Sequence, residues 1–205
     1  MSRMGDADFH APPWDAPLDV AAEIERIPPA ATIKGLFLIP LVAEMRKKAA
    51  DAKSPRDRYL PFSDYPLREH AHLLADAAHL LYPDLTTRRG LRKLGRAAQR
   101  AFAETTLGKV VWSTVYSVDT ALDAAAKTYA IVTPSVRITV MERATGRALV
   151  RLEGPSCFFD SNQVGTFEGV LRTCDVRPVV AIRTPARDVG ELLLTWTAPS
   201  VRPGR

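Results

Sequence analysis

Pro134-Ser-Val-Arg-Ile-Thr-Val-Met-Glu-Arg-Ala-Thr-Gly-Arg-Ala-Leu-Val-Arg-Leu-Glu-Gly-Pro155 reads as two strands and a turn. Val136, Ile138 and Val140 alternate with Arg137, Thr139 and Met141; beyond Thr145-Gly146, Ala148, Val150 and Leu152 keep the same rhythm. A period of two is the pleat of a half-buried strand. Downstream, Val164, Phe167, Val170, Leu171 and Cys174 share one helix face behind a cap at Asp160 or Ser161. Strands at Val179–Thr184 and Glu191–Thr197, joined through Pro185 and Gly190, complete the set. Upstream, from Pro66 to Tyr129, helix follows helix. Helices first and sheet last predict an α+β fold: a helical N-terminal half packed on a small four-stranded antiparallel sheet, ββαββ in chain order.

The helical half can be read in more detail. A first helix is expected to begin near Pro40, a tolerated first-turn position, and to run to about Ala52. Asp64 then serves as an N-cap, and Leu67, Ala71, Leu74, Ala78 and Leu81 form one apolar stripe that Pro83 ends. A third helix spans Leu85 to Thr105 with Leu91, Leu94, Gly95, Ala98 and Phe102 turned inward. After Gly108 a further helical stretch is expected, and another from Asp119 to Ala130. Residues 1–31, with five prolines, read as a flexible arm, residues 32–197 as a single domain, and residues 198–205 as a tail. Trp14 is the arm's one candidate for docking onto the domain.

Composition narrows the function. The chain of 205 residues has 46% hydrophobic and 25% charged residues, enough to bury a core without metal or disulfide. Two cysteines, Cys157 and Cys174, make neither a ligand spacing nor a framework, which fits a reducing compartment. No stretch approaches the ~20 apolar residues of a membrane span, and the first residues lack the order of a secretion signal. The expected location is the cytoplasm.

The net charge of +5 is concentrated in one place. Between Thr86 and Tyr116, seven basic residues face one acid, so that stretch nets +6 and the remainder is slightly acidic. Arg89, Arg92, Lys93, Arg96 and Arg100 fall opposite the apolar face of the third helix and are the candidate binding residues for an acidic partner or an anion. Nucleic acid is disfavoured because no aromatics interleave with the cations. At the helix–sheet junction, Phe158, Phe159, Phe167 and Trp196 are the candidate ligand contacts, with plain core packing as the ordinary alternative.

Catalytic and metal signatures are weak. There is no Gly-x-Ser-x-Gly elbow, and Glu69-His70-Ala71-His72 has the residue types of a zinc-protease helix at the wrong spacing. His72, Asp76 and His79 share a helix face, but it is the solvent side, so no metal site and no cofactor are expected. His70 borders the apolar stripe, where a partly buried histidine with one hydrogen-bond partner is the commonest case. Gly165 and Gly169 leave one side of their helix bare, as close approach to the sheet would require. The chain is therefore expected to be non-catalytic. Its main reading is a binding or regulatory module for an acidic protein, with a small-molecule sensor as the alternative and self-association left open.

Lys34-Gly-Leu-Phe37, Asp64-Tyr-Pro-Leu-Arg68, Leu94-Gly-Arg96 with Phe102 and Thr105–Gly108, and Phe167-Glu-Gly-Val-Leu-Arg172 together resemble a paralogous family of myxobacteria, DUF2378, over nearly all of the foldable unit. The resemblance implies no catalytic residues. At fold level the element order is also similar to the vinyl-reductase-type small-ligand domain and to the haem-based nitric oxide and oxygen sensors. The sensors' Tyr-x-Ser-x-Arg signature is not supplied by Tyr116-Ser117-Val118 or by Tyr129-Ala-Ile-Val132. That second resemblance implies a fold, without the haem.

Overall fold

The computed structural model describes residues 8–197. Seven α-helices alternate unevenly with six strands: α1 (Val20–Glu25), β1 (Thr32–Lys34), α2 (Gly35–Lys48), β2 (Asp64–Pro66), α3 (Leu67–Leu81), α4 (Thr87–Glu104), α5 (Thr106–Trp112), α6 (Val118–Val132), β3 (Arg137–Ala144), β4 (Arg147–Glu153), α7 (Val164–Arg172), β5 (Val179–Ala186) and β6 (Val189–Thr195). The fold is α+β, and the C-terminal strands form one antiparallel sheet in the order β3-β4-β6-β5. Val150 faces Val140 on one side and Leu192 on the other, so the inward row is continuous across strands. No helix among the described residues is long and apolar enough to cross a membrane.

The apolar interior has two large masses and a small third cluster of Leu36, Phe102 and Val132. One is built from α1 to α4 and includes Leu38, Leu73, Leu91 and Phe158. The other lies between the sheet and the pair α6 and α7, with Leu122, Phe167, Val150 and Leu192 at its centre. Helix α4 joins them. It meets α3 on one flank, where a Cβ at Gly90 would lie 3.0 Å from that of Ala78, and α7 on the other. A Cβ on Gly95 would stand 2.2 Å from the carbonyl oxygen of Asn162, and one on Gly165 would stand 2.1 Å from that of Arg92. Backbone therefore rests on backbone where these helices cross. The glycines expected to admit the sheet admit α4 instead.

Several local expectations shift for identifiable reasons. Helix α2 starts at Gly35, five residues before Pro40, which sits inside it. Gly35 is held against the Leu60 carbonyl, where a Cβ would come within 2.3 Å, a contact 25 residues away in sequence that periodicity does not register. Asp64 does not cap α3. It belongs to β2, which pairs with β1, and it receives Lys34 Nζ at 2.7 Å. Residues 20–31 are part of the domain rather than a flexible arm, with Ile24, Ile27 and Ala31 buried. Residues 198–205 lie outside the described residues.

The arm is also docked further up. His10 exchanges two backbone hydrogen bonds with Ile182 at the edge of β5, and Thr86 Oγ1 donates to the Trp14 carbonyl at 2.6 Å. Thr86 is at the same time the N-cap of α4.

In an exposed helix interior, Gly→Ala gains about 1 kcal/mol. At Gly95 the opposite sign is expected. Gly95→Ala should lower unfolding stability by about 1–3 kcal/mol through overpacking, read as a lower urea midpoint at an unchanged slope.

Candidate functional site

The candidate site begins at α4, the most strongly amphipathic helix in the sequence. Its basic side does not simply face water. Arg92 and Arg96 both donate to the carboxylate of Glu168 on α7, with Arg92 Nε at 2.8 Å and Arg96 Nε at 2.7 Å, and Glu168 is 2% exposed. Burial alone would push that carboxyl up, but the two guanidinium groups outweigh it and hold Glu168 below the usual carboxylate range. Arg89 forms a two-pronged pair with Asp15, and Arg92 also stacks over Trp14 at 4.1 Å. Arg88 bonds Asp160 and the carbonyls of Ala16 and Pro17. Lys93 lies 5.0 Å from the ring of Tyr82.

Most of the expected anion-binding residues thus meet anions or π-faces of their own chain. The exposure expected of Arg92 and Arg96 is corrected for a simple reason: α7 lies across the side that the helical wheel leaves for solvent. Arg100 is exposed and lines a groove described below. The four aromatics do not form one site, although Phe159 and Trp196 both pack against the core that holds Phe167. Phe158 belongs to the helical core, while Phe167 lies in the sheet-side core. Phe159 abuts Gly190, and Trp196 borders a surface hollow beside Tyr116 and Cys174. His72, Asp76 and His79 are all exposed, and no group of three or more His, Cys, Asp or Glu side chains converges among the described residues.

The arrangement with chemical content centres on His70, which the sequence reading set aside. It lines two cavities at once. Outward lies an open groove of about 340 Å³ between α2, α3 and α4, walled mainly by Leu41, Leu74, Leu81, Leu94 and Ala97. Its charged lining residues, Glu44, Arg100 and Glu104, are exposed. Inward lies a chamber of about 50 Å³ at the meeting of α3, α4, α6 and the segment before α7. Phe37, His70, Leu74 and Ala98 line both, so they form the partition.

The chamber is mainly apolar, with a few polar side chains and no charged one. Phe158 takes a left-handed backbone conformation (φ 50°) and opens a π-helical turn, Phe159–Gln163, that buries Ser161, Asn162 and Gln163. Such turns recur at functional sites. Tyr129 donates to Gln163 Oε1, Thr166 Oγ1 to the Asn162 carbonyl at 3.1 Å, and Asn162 Nδ2 to the Leu91 carbonyl at 3.3 Å. Burial pushes the Tyr129 phenol up and the Cys157 thiol up to about 12, while it pulls the His70 imidazole down to about 4. All three are neutral at pH 7. The Nδ1 of His70 is buried and lacks the one hydrogen-bond partner expected of it.

Comparison with known proteins follows from this geometry. Residues 26–197 match the family model described as "Protein of unknown function (DUF2378)". The chain belongs to that family. No curated protein matches the sequence.

Among solved structures, the DUF2378 chain is similar in fold to H-NOX proteins. An oxygen-binding H-NOX domain related to soluble guanylate cyclases, in its oxygen complex, is 13% identical with a TM-score of 0.62, covering 84% of this chain and 100% of that one. The H-NOX protein from S. oneidensis in the Fe(II)NO state is 13% identical at TM-score 0.60, covering 81% and 100%. The unliganded Fe(II) H-NOX protein from K. algicida is 9% identical at TM-score 0.60, covering 81% and 97%. At these identities the likeness is one of fold.

H-NOX domains are discussed in terms of heme distortion, and the residues present here do not fit that group. His10, His72 and His79 are exposed, leaving His70 as the one half-buried histidine. The chamber that His70 lines, about 50 Å³, is far below the roughly 300 Å³ at which pockets for larger ligands begin.

Two measurements bear on this geometry. Glu168→Ala strands two half-buried guanidinium groups, and a loss of about 3 kcal/mol in urea unfolding is expected. His70 titrates near 6.5 when unfolded and near 4 when folded. In that window the unfolded chain binds a proton that the folded chain refuses, so stability falls as pH drops from 6.5 to 4, by at most about 3 kcal/mol. His70→Phe should flatten this part of the stability–pH profile.

Proposed function

We propose that this protein is a non-catalytic small-ligand sensor domain on an H-NOX-like fold, holding its ligand in the groove between α2, α3 and α4. The carrying observation is the groove of about 340 Å³ whose partition includes a histidine with an unpaired buried nitrogen. An apolar pocket with a few polar groups is the usual form of a small-molecule site. The likeness in fold to domains described in oxygen and nitric oxide complexes supports the same reading. Catalysis is not favoured, because His70 has neither an acid nor a nucleophile as hydrogen-bond partner.

A sensor also needs a path outward. Helix α4 walls the groove with Leu94, Ala97 and Ala98 and reaches α7 through Gly95, Arg92 and Arg96. A shift of α4 on ligand binding is carried to the sheet-side core by direct backbone contact. The acidic-partner reading has less support, since Arg89 is paired with Asp15 and Arg92 and Arg96 share Glu168.

Native mass spectrometry of protein isolated from its own host is the test. A bound small molecule is expected, and adding it back at one hundred times its dissociation constant should stabilise the stripped protein by about 2.7 kcal/mol. Ala97→Trp, which fills the groove from an exposed position, should abolish that gain. Protein that carries no small molecule, and that no host metabolite extract stabilises, would defeat the proposal.

A further inference from the structure

The groove and the chamber share one thin partition, and both are mainly apolar; they differ in charge. The groove has exposed Glu44, Arg100 and Glu104 among its leucines, alanines, Phe37 and Tyr82. The chamber, walled by Ile33, Leu74, Val132 and Val136 with Tyr129, Asn162, Gln163 and Thr166 among them, has no acidic or basic side chain other than the imidazole of His70. Three buried side-chain nitrogens lack partners among the described residues: His70 Nδ1, Gln99 Nε2 and Trp112 Nε1. Of these, only His70 borders either cavity.

We infer that groove and chamber are the two ends of one binding site, and that its ligand is an uncharged amphipathic molecule. Its apolar body would lie along α2, α3 and α4, and one neutral hydrogen-bonding head group, such as an alcohol or an amide, would pass the partition to reach His70. This rests on the sensor reading above and narrows it. Of the four partition residues Leu74 is fixed in the core, and Phe37, His70 and Ala98 are half-buried, so a head group would pass beside them.

The charge of the head group follows from desolvation. An ionised head entering the chamber would leave water for a space with no counter-charge, which costs several kcal/mol. Burial keeps His70, Tyr129 and Cys157 neutral, so none of them can supply one at pH 7. At the groove, Glu44 is already paired with Lys47, and Arg100 and Glu104 are exposed to water, so an ion gains little there either. A neutral head group with one donor or acceptor completes the imidazole's missing hydrogen bond without that penalty.

The test is isothermal titration of the full chain with three probes of one tail length: decan-1-ol, decanoate and decylammonium. Decan-1-ol is expected to bind at least about tenfold more tightly than either ion, and His70→Phe should erase about tenfold of that affinity. Because His70→Phe changes packing, Thr166→Val and Tyr129→Phe provide second variants within the chamber, each expected to weaken decan-1-ol and leave the weak binding of the ions unchanged. Equal or tighter binding of decanoate or decylammonium overturns the neutral-head inference while leaving the sensor reading intact. So does decan-1-ol binding that none of the three variants alters. Binding by none of the probes, together with a protein that carries no host molecule, sinks both.

Discussion

The fold depends on one crossing, that of α4 over α7. Gly95 and Gly165 bring the two backbones together, and Glu168, buried between Arg92 and Arg96, fixes their rotation. Neither device suffices alone. Bare glycine contact supplies proximity and dispersion but little preference for register. A buried carboxylate supplies direction but contributes little net stability, because its desolvation offsets much of the attraction. Together they hold the helical core and the sheet-side core in one relative position, which is what allows a cavity at their boundary to keep a defined shape.

That crossing explains why the basic helix was legible as basic but not as internal. The spacing of Leu91, Leu94 and Phe102 set the buried stripe correctly. It left Arg92 and Arg96 on the far side, and a helical wheel has no means of showing a second neighbour there. The signal lay elsewhere, in Glu168 between Gly165 and Gly169: an acid set between bare positions on a helix is the complement of a basic helix. The element order, the two hairpins and the long helices were all legible, because each is written in local periodicity. The β1–β2 pair was not, since three-residue strands carry too little pattern and depend on contacts 30 residues apart.

The candidate site was less legible than the fold. His70 was visible as a histidine beside an apolar stripe, yet its importance depends on what lies on each side of it, and those walls come from α2, α4, α6 and the π-helical turn. The junction aromatics misled for the opposite reason. Phe158, Phe159 and Phe167 are near one another in sequence, but the turn at Phe158 sends the first into one core and Phe167 into the other. Large aromatic side chains are core material by default, and here proximity along the chain carried no functional content.

The likeness to H-NOX domains and the misfit to haem belong to one physical account. A fold of this kind provides a boundary between a helical and a mixed core, and what that boundary holds is decided by its lining. Here the lining excludes a large charged macrocycle: Tyr129 and Gln163 bond across the interior, Phe167 stacks on Tyr129 with centroids 6.4 Å apart, and about 50 Å³ remains. The groove lies on the other side of His70. On the sensor reading proposed above, such a boundary suits a slender ligand with a small polar end, and a displacement of α4 would be felt first at Glu168, which joins α7 to α4.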